Sequence, residues 1–246
     1  MNEELWRGKF KHLPAWPCPA CGTGTLHVVD GSFREHLHPG DLGCIQEGYI
    51  DPDDVIGMFA AILECGCRPC NRHVLVHGIY ESFREGDGNE FEWINGYTPK
   101  SFYPSPPLVM LPEKTPEAVA VHMERSFGLY WSDPLACAGA LRSALEAIAD
   151  HLGIPRNKPN GGFYPLSQRL KVLERTHPKL ADVMDAIKNV GNDGAHGDAM
   201  NSSTLLAAYE LLAMELRALY VDESARKEEL LRQLRDGRET NENSCV

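Results

Sequence analysis

The sequence predicts an α+β fold, in which a small β domain precedes an antiparallel helical bundle. Short runs of strand character occur before residue 81, whereas apolar residues recur with a period of 3.6 from about residue 116 onward. A proline-rich segment separates the two patterns. The predicted organisation is therefore a β domain over residues 1–96, a connector over 97–115, a helical bundle over 116–222 and a charged helical tail, partly disordered, over 223–246.

The strand predictions rest on three apolar runs, which are TLHVVD at 25–30, IGMFAAILE at 56–64 and HVLVHGIY at 73–80. After them, residues 97–118 contain six prolines. Proline has no backbone N–H, so it is excluded from helix interiors and from central strands. We expect this segment to cross between domains in an extended conformation.

Four apolar stripes with helical spacing predict four helices joined by short connections, which is typical of an antiparallel bundle. SDP at 132–134 is an N-cap signal with proline at the first turn, and Gly153 with Pro155 ends that helix. The stripes are Leu141, Leu145, Ile148, Ala149 and Leu152; Leu166, Leu170 and Leu173; Leu180, Val183, Met184 and Ile187; and Leu205, Leu206, Tyr209, Leu212, Leu216 and Leu219.

Composition favours a folded, cytoplasmic protein. The chain is 43% hydrophobic and 24% charged, with a net charge of −11, which disfavours a wide phosphate-binding surface. No apolar run approaches the roughly 18 residues of a membrane helix, and the first residues lack the apolar region of a signal peptide. We therefore expect no membrane association.

The cysteines are spaced as metal ligands. CPAC at 18–21 is followed by Gly22, and CGCRPC at 65–70 is followed by Asn71. In a zinc knuckle the residue after the second cysteine adopts a left-handed conformation, which glycine and asparagine tolerate well. Two such knuckles beside strands predict a zinc-ribbon-like domain with one structural zinc ion. The predicted ligands are Cys18, Cys21, Cys67 and Cys70, with Cys65 as the alternative to Cys67.

Two other interpretations of the cysteines are weaker. Buried thiols without metal would need no fixed spacing. A redox C-x-x-C pair would open a helix after a strand in a βαβ unit, and the sequence contains no such unit. Four thiolates also close the coordination sphere, which disfavours catalytic zinc.

A polar segment, AIKNVGNDGAH at 186–196, follows the third stripe. Gly191 would cost a helix roughly 1 kcal/mol relative to alanine, which predicts a helix break there. In one interpretation the helix ends in a turn and His196 is solvated. In the other, Lys188, Asn192 and His196 share one face at i, i+4 and i+8, where they hold a phosphate and move a proton.

Four segments resemble the bacterial domain-of-unknown-function family 4145, a relative of the HEPN superfamily of helical nucleotide-binding and ribonuclease domains. They are WPCPACG, FYPSPPLVMLP, SFGLYWSDPLACAGALRSALE and AIKNVGNDGAH. The resemblance implies a HEPN-like bundle and a homodimer formed through it.

The resemblance also implies candidate site residues. HEPN ribonucleases use an arginine and a histidine across a dimer interface, without metal, and His196 matches that histidine while Lys188 falls at the arginine position. Lysine lacks the planar fork that suits phosphate. Arg142 and Glu146, spaced i, i+4, either form an exposed pair or face the His196 turn as ligand-binding residues.

The expected function is a zinc-containing binding and assembly module with an unidentified protein partner, acting in bacterial defence or stress response. One alternative is a metal-independent, toxin-like ribonuclease that uses His196, Lys188 and Asn192. Another is a nucleotide-binding module that uses Lys188, Asn192 and Arg142. RNA and nucleotides are the candidate ligands of these alternatives.

Overall fold

The computed structural model describes residues 3–37, 46–48, 56–87, 90–194, 201–222, 224, 227–228 and 230–233. A 3-10 turn at Glu3–Leu5 precedes the strands. The strands are β1 Leu26–Val28, β2 Arg34–His36, β3 Ile56–Cys65, β4 His73–Asp87 and β5 Glu90–Tyr103. The helices are α1 Glu117–Leu129, α2 Pro134–His151, α3 Leu166–Leu173, α4 Pro178–Gly194 and α5 Ser202–Tyr220. The α+β class is confirmed, with an antiparallel sheet followed by helices.

The sheet is antiparallel in the order β1-β3-β4-β5, and β2 pairs with β3 as β1 does. Leu26 of β1 lies opposite Cys65, and Arg34 of β2 lies opposite Ala60. Side chains of β3 alternate between exposed and buried along the strand. One face of the sheet therefore packs on the core.

The last strand runs past residue 96, where the sequence placed the end of the β domain. Strand β5 ends at Tyr103 and includes Pro99, which lies opposite Gly78 beside a register shift. Proline is tolerated at edge strands and bulges because an N–H is dispensable there. The proline signal correctly excluded a central strand but not this edge strand.

The four predicted stripes lie on α2 to α5. Asp133 caps α2 by accepting the Ala136 N–H at 2.9 Å, Pro134 is the first residue of that helix, and Gly153 follows its end with a φ of 73°. None of the four predicted stripes lies on α1, which begins directly after Pro116. This helix buries Val119, Met123 and Phe127.

The helix break predicted at Gly191 is a difference from the structure, since α4 continues to Gly194. The physical reason is the small size of the penalty. A glycine costs a helix interior only roughly 1 kcal/mol relative to alanine, which disfavours a helix without ending it.

The sheet and the helices share one core. Trp131, just before α2, contacts Trp16 and Phe102, with ring centroids 6.0 and 4.6 Å away. The hydroxyl of Tyr130 donates a hydrogen bond to the Trp6 carbonyl at 2.9 Å. These aromatic contacts join the two parts.

Within the described residues, no helix is long and apolar enough to cross a membrane. In the tail, residues 224, 227–228 and 230–233 are helical.

Candidate metal centre and adjoining cleft

Four thiols converge where β1 and β3 meet the loops that flank them. The Sγ atoms of Cys18, Cys21, Cys65 and Cys70 all lie within 4.8 Å of one another. Cys18 and Cys70 are 3.7 Å apart, as are Cys21 and Cys65. Cys18 and Cys65 are buried, and the other two are partly buried. This cysteine cluster is compatible with a single metal ion.

The first half of the cluster is a tight turn. Gly22 has a φ of 64° and donates its N–H to the Cys18 carbonyl at 3.0 Å. Backbone N–H groups also point at the sulfurs, from Ala20 to Cys18 at 3.4 Å and from Gly24 to Cys21 at 3.3 Å. The left-handed conformation predicted for Gly22 is confirmed, and the N–H groups are placed to stabilise thiolates.

The second half uses Cys65, the alternative ligand, in place of Cys67. Cys65 ends β3 on its buried side, and the Cys67 N–H donates to its sulfur at 3.4 Å. The Cys67 carbonyl instead accepts the N–H groups of Cys70 and Asn71, at 2.9 and 3.2 Å. Cys67 therefore supplies backbone to the turn, and the two clustered cysteines of this half, Cys65 and Cys70, have C-x4-C spacing. Asn71 has the predicted left-handed conformation, with a φ of 44°.

The thiols differ in acidity. The Gly24 N–H, with further hydrogen bonds from Thr23, lowers the pKa of Cys21 to about 6. Burial raises the pKa of Cys65 to about 12. Hydrogen bonding therefore favours the thiolate form of Cys21, whereas burial favours the protonated form of Cys65.

Gly24 is a site residue that the sequence analysis missed. A Cβ atom there would lie 2.5 Å from the Cys65 sulfur and 2.8 Å from the Cys67 Cβ. The Gly24 carbonyl also accepts the Cys18 N–H at 2.8 Å. The sequence feature that could have identified it is a glycine three residues after the second cysteine. At that position the chain passes close to Cys65 and Cys67.

A cleft of about 750 Å³ adjoins the cysteine cluster. Its walls are the 18–22 turn, the end of β5 with the connector, and the last turns of α1. Met110 of the connector lies over Gly22, because a Cβ on that glycine would come within 2.2 Å of the Met110 Cε. The charged side chains that line the cleft are Glu113, Glu124 and Arg125.

The residues proposed for phosphate chemistry fall only partly within the described part of the chain, where Lys188 and Asn192 lie four residues apart on α4. Lys188 forms an ion pair with Asp185 one turn away, and its side chain is only 12% exposed. Asn192 belongs to α4. His196 lies outside the described residues.

Arg142 and Glu146 form a surface pair, with Nε and Oε1 3.8 Å apart and side chains 40% and 38% exposed. Such exposed pairs contribute at most about 1 kcal/mol. The structure describes this pair as an exposed ion pair, and its relation to the His196 turn lies outside the described residues.

Arg169 of α3 is a second residue that the sequence did not single out. It is 2% exposed and donates to Asp150 at 2.5 Å and to the Ile154 carbonyl at 2.9 Å. Arg156 donates to the other oxygen of Asp150 at 2.6 Å. This network fastens the end of α2 to α3. A lone arginine between leucines carries no sequence signal for such a role.

Comparison with known families matches two separate parts of the chain, and the C-terminal match begins within α1. Residues 124–236 match the family described as "Domain of unknown function (DUF4145)". Residues 9–105 match a second family, "Domain of unknown function (DUF8608)". The resemblance to the first family is thus confirmed for the helical part. No curated protein and no solved structure matched the chain.

Proposed function

We propose that the protein is a zinc-stabilised binding and assembly module whose partner docks in the cleft beside the cysteine cluster. The observation that carries the proposal is the convergence of four thiols within 4.8 Å in the wall of that cleft. The metal would hold the wall in place, and the cleft would supply the contact surface.

Zinc is the metal that suits this donor set best. Four sulfur ligands favour zinc or iron–sulfur chemistry, and zinc knuckles use short C-x2–4-C spacings with N–H groups directed at the sulfurs. The C-x2-C turn at Cys18 and the C-x4-C turn at Cys65 fit that pattern. A zinc-ribbon-like description of this part is therefore part of the proposal.

A structural role follows from the number of ligands. Four thiolates complete a tetrahedral sphere and leave no position for water or substrate. The ion would stabilise the part of the chain whose strands β1 and β2 have only three residues each. Metal binding then contributes folding free energy in addition to hydrophobic burial.

The cleft has the properties of a binding site. Its volume of about 750 Å³ falls in the usual range for ligand pockets, roughly 300–1,000 Å³. Prolines, Tyr103 and Met110 give it apolar walls, and two carboxylates oppose the single guanidinium of Arg125. An extended, apolar segment of a partner protein with a basic residue is complementary to this lining.

Metal binding is tested by elemental analysis of two cysteine variants. Cys21→Ser removes a cluster ligand, whereas Cys137→Ser alters a buried thiol of α2 that pairs with Tyr209 at 3.1 Å and lies apart from the cluster. We expect zinc to be lost and solubility lowered in the first variant only. Equal zinc content in both variants, or none in the wild type, would refute the metal proposal.

Cleft binding is tested with a second matched pair. A side chain at Gly128 of α1 would enter open space in the cleft, and a side chain at Gly139 of α2 would enter open space elsewhere. Peptides selected from a random library on the zinc-loaded wild type should fail to bind Gly128→Leu and should still bind Gly139→Leu. Binding that survives Gly128→Leu unchanged would place the partner outside the cleft.

The helical part is proposed to be HEPN-like on the strength of the family match, with defence or stress response as its biological setting. Dimerisation through the helices remains a prediction of the resemblance. Neither point is required for the metal and cleft proposals.

A further inference from the structure

The two faces of the sheet are covered very unequally. On β3, the inward Phe59 and Leu63 are each 1% exposed, whereas the outward Met58 is 64% exposed. Single exposed apolar residues are ordinary, but several on one face form a patch that usually marks an interaction site. We call this surface the outer face, and its large apolar members are Ile56, Met58, Ile62, Leu75 and Tyr103.

Strand register places three of these residues in one row. Ile62 of β3 pairs with Leu75 of β4, which pairs with Tyr103 of β5. Directly paired residues project to the same side of a sheet and touch across the strands. Leu75 is 55% exposed and Tyr103 is 78% exposed. The row is therefore a continuous apolar ridge across three strands.

Opposite charges flank this row. Ala60 is two residues before Ile62 on β3, and it lies between Arg34 of β2 and His77 of β4. Glu64 is two residues after Ile62 on the same strand. These side chains share the outer face, because positions 60, 62 and 64 have the same parity along the strand. The outer face thus carries the Arg34 guanidinium on one side of the apolar row and, on the other, the Glu64 carboxylate between His27 and His73.

The carboxylate is only loosely held within the chain. Glu64 Oε1 lies 4.0 Å from His73 Nε2, and the two side chains are 44% and 59% exposed. Arg34 donates to the Phe33 carbonyl at 2.8 Å and forms no ion pair with another described residue. Both groups are accessible to a partner.

We propose that a second copy of this chain docks on the outer face, with a two-fold axis along the row formed by Ile62, Leu75 and Tyr103. Rotation about that axis brings the position two residues before the row in one copy opposite the position two residues after the row in the other copy. It places Glu64 of one copy over Ala60 of the other, between the flanking Arg34 and His77. The apolar rows of the two copies meet face to face, at the roughly 10 Å spacing of packed sheets.

The complementarity identifies a second copy as the occupant. An isologous interface requires one surface to contain both halves of each contact, and the outer face has this property about a single row. The net charge of −11 would oppose association with an anionic membrane. The same charge disfavours contact between copies except where a carboxylate meets a cation, as Glu64 of one copy meets Arg34 of the other in this arrangement.

The proposal is tested by the mass of the purified protein in light scattering and by its dimer dissociation constant. The wild type should have twice the 27.3 kDa mass of one chain. Leu75→Glu should raise the dissociation constant by about tenfold or more, because each dimer would bury two unpaired carboxylates. Leu211→Glu is the matched control, since Leu211 is a 43% exposed residue on the outside of α5.

A monomeric wild type would overturn the proposal. So would a dimer whose dissociation constant is unchanged in Leu75→Glu, because that result would place the interface away from the outer face; dissociation in Leu211→Glu would then assign it to the helices.

A charge exchange tests the axis itself. Arg34→Glu and Glu64→Arg should each weaken the dimer, and the double variant should recover most of the affinity, because each pair is then re-formed with reversed signs. A double variant weaker than both single variants would exclude this axis. Glu64 projects away from the cysteine cluster, so zinc content should stay constant throughout and the test remains independent of the metal proposal.

Discussion

The sheet and the helices are stabilised by different features of the sequence. In the helical part, stripes of leucine, alanine and methionine are long enough to bury nine residues of α2 alone. In the sheet part, β1 and β2 each contribute three residues, and four thiols occupy the junction that a larger hydrophobic core would otherwise fill. The helical part thus depends on packing, whereas on our proposal the end of the sheet depends on a metal held by the four cysteines.

Removal of the proposed metal is expected to have the largest effect, and that effect should be confined to the sheet part. Chelation, or Cys18→Ser, should destabilise the sheet by about 5 kcal/mol or more, because metal binding to such sites contributes most of their folding free energy. Hydrogen exchange should show β1 and the end of β3 losing amide protection while α2 and α5 keep theirs. Simultaneous loss of protection in both parts would mean that the shared aromatic core makes them one cooperative unit.

A core substitution in the helices tests the other side of the comparison. Leu145 of α2 is fully buried, and Leu145→Ala should lower the free energy of unfolding by about 2–5 kcal/mol through lost burial and a cavity. Denaturant unfolding followed by circular dichroism measures the change. Zinc per chain should be unaffected, and a variant that folds but has lost its metal would show that the helices help to hold the cysteine cluster.

The smallest effect is expected at Lys188. Its ammonium group is paired with the half-exposed Asp185, so Lys188→Ala should change the free energy of unfolding by less than about 1 kcal/mol. We also expect nucleotides to leave the melting temperature of wild type and variant equally unchanged. A nucleotide that stabilises the wild type and not Lys188→Ala would move the binding function from the cleft to the helices.

Sequence patterns predicted much of the fold, because the features concerned are local. The strand at β3, the N-cap at Asp133 and the left-handed residues Gly22 and Asn71 each depend on a few neighbouring residues. The sequence analysis missed strand β5 and helix α1, because it took prolines as evidence against regular structure there. Proline is nevertheless tolerated at a sheet edge and at the start of a helix. The uninterrupted helix through Gly191 shows that one glycine disfavours a helix without ending it.

The site was predicted less completely than the fold, because its details depend on tertiary contacts. Spacing alone allowed either Cys65 or Cys67, and only the inward direction of the last residue of β3 separates them. Gly24 and Arg169 owe their roles to residues distant in sequence, the cysteine cluster in one case and Asp150 in the other. The cleft is formed by three separate segments, so no single motif could predict it.

The most direct test of the account compares zinc per chain in Cys65→Ser and Cys67→Ser. The two residues lie two positions apart and undergo the same chemical change, but only Cys65 directs its sulfur into the cluster. The account predicts that Cys65→Ser loses zinc and melts at a lower temperature, whereas Cys67→Ser keeps about one zinc ion per chain, as expected for a single four-ligand site. Loss of zinc in Cys67→Ser with retention in Cys65→Ser would contradict it.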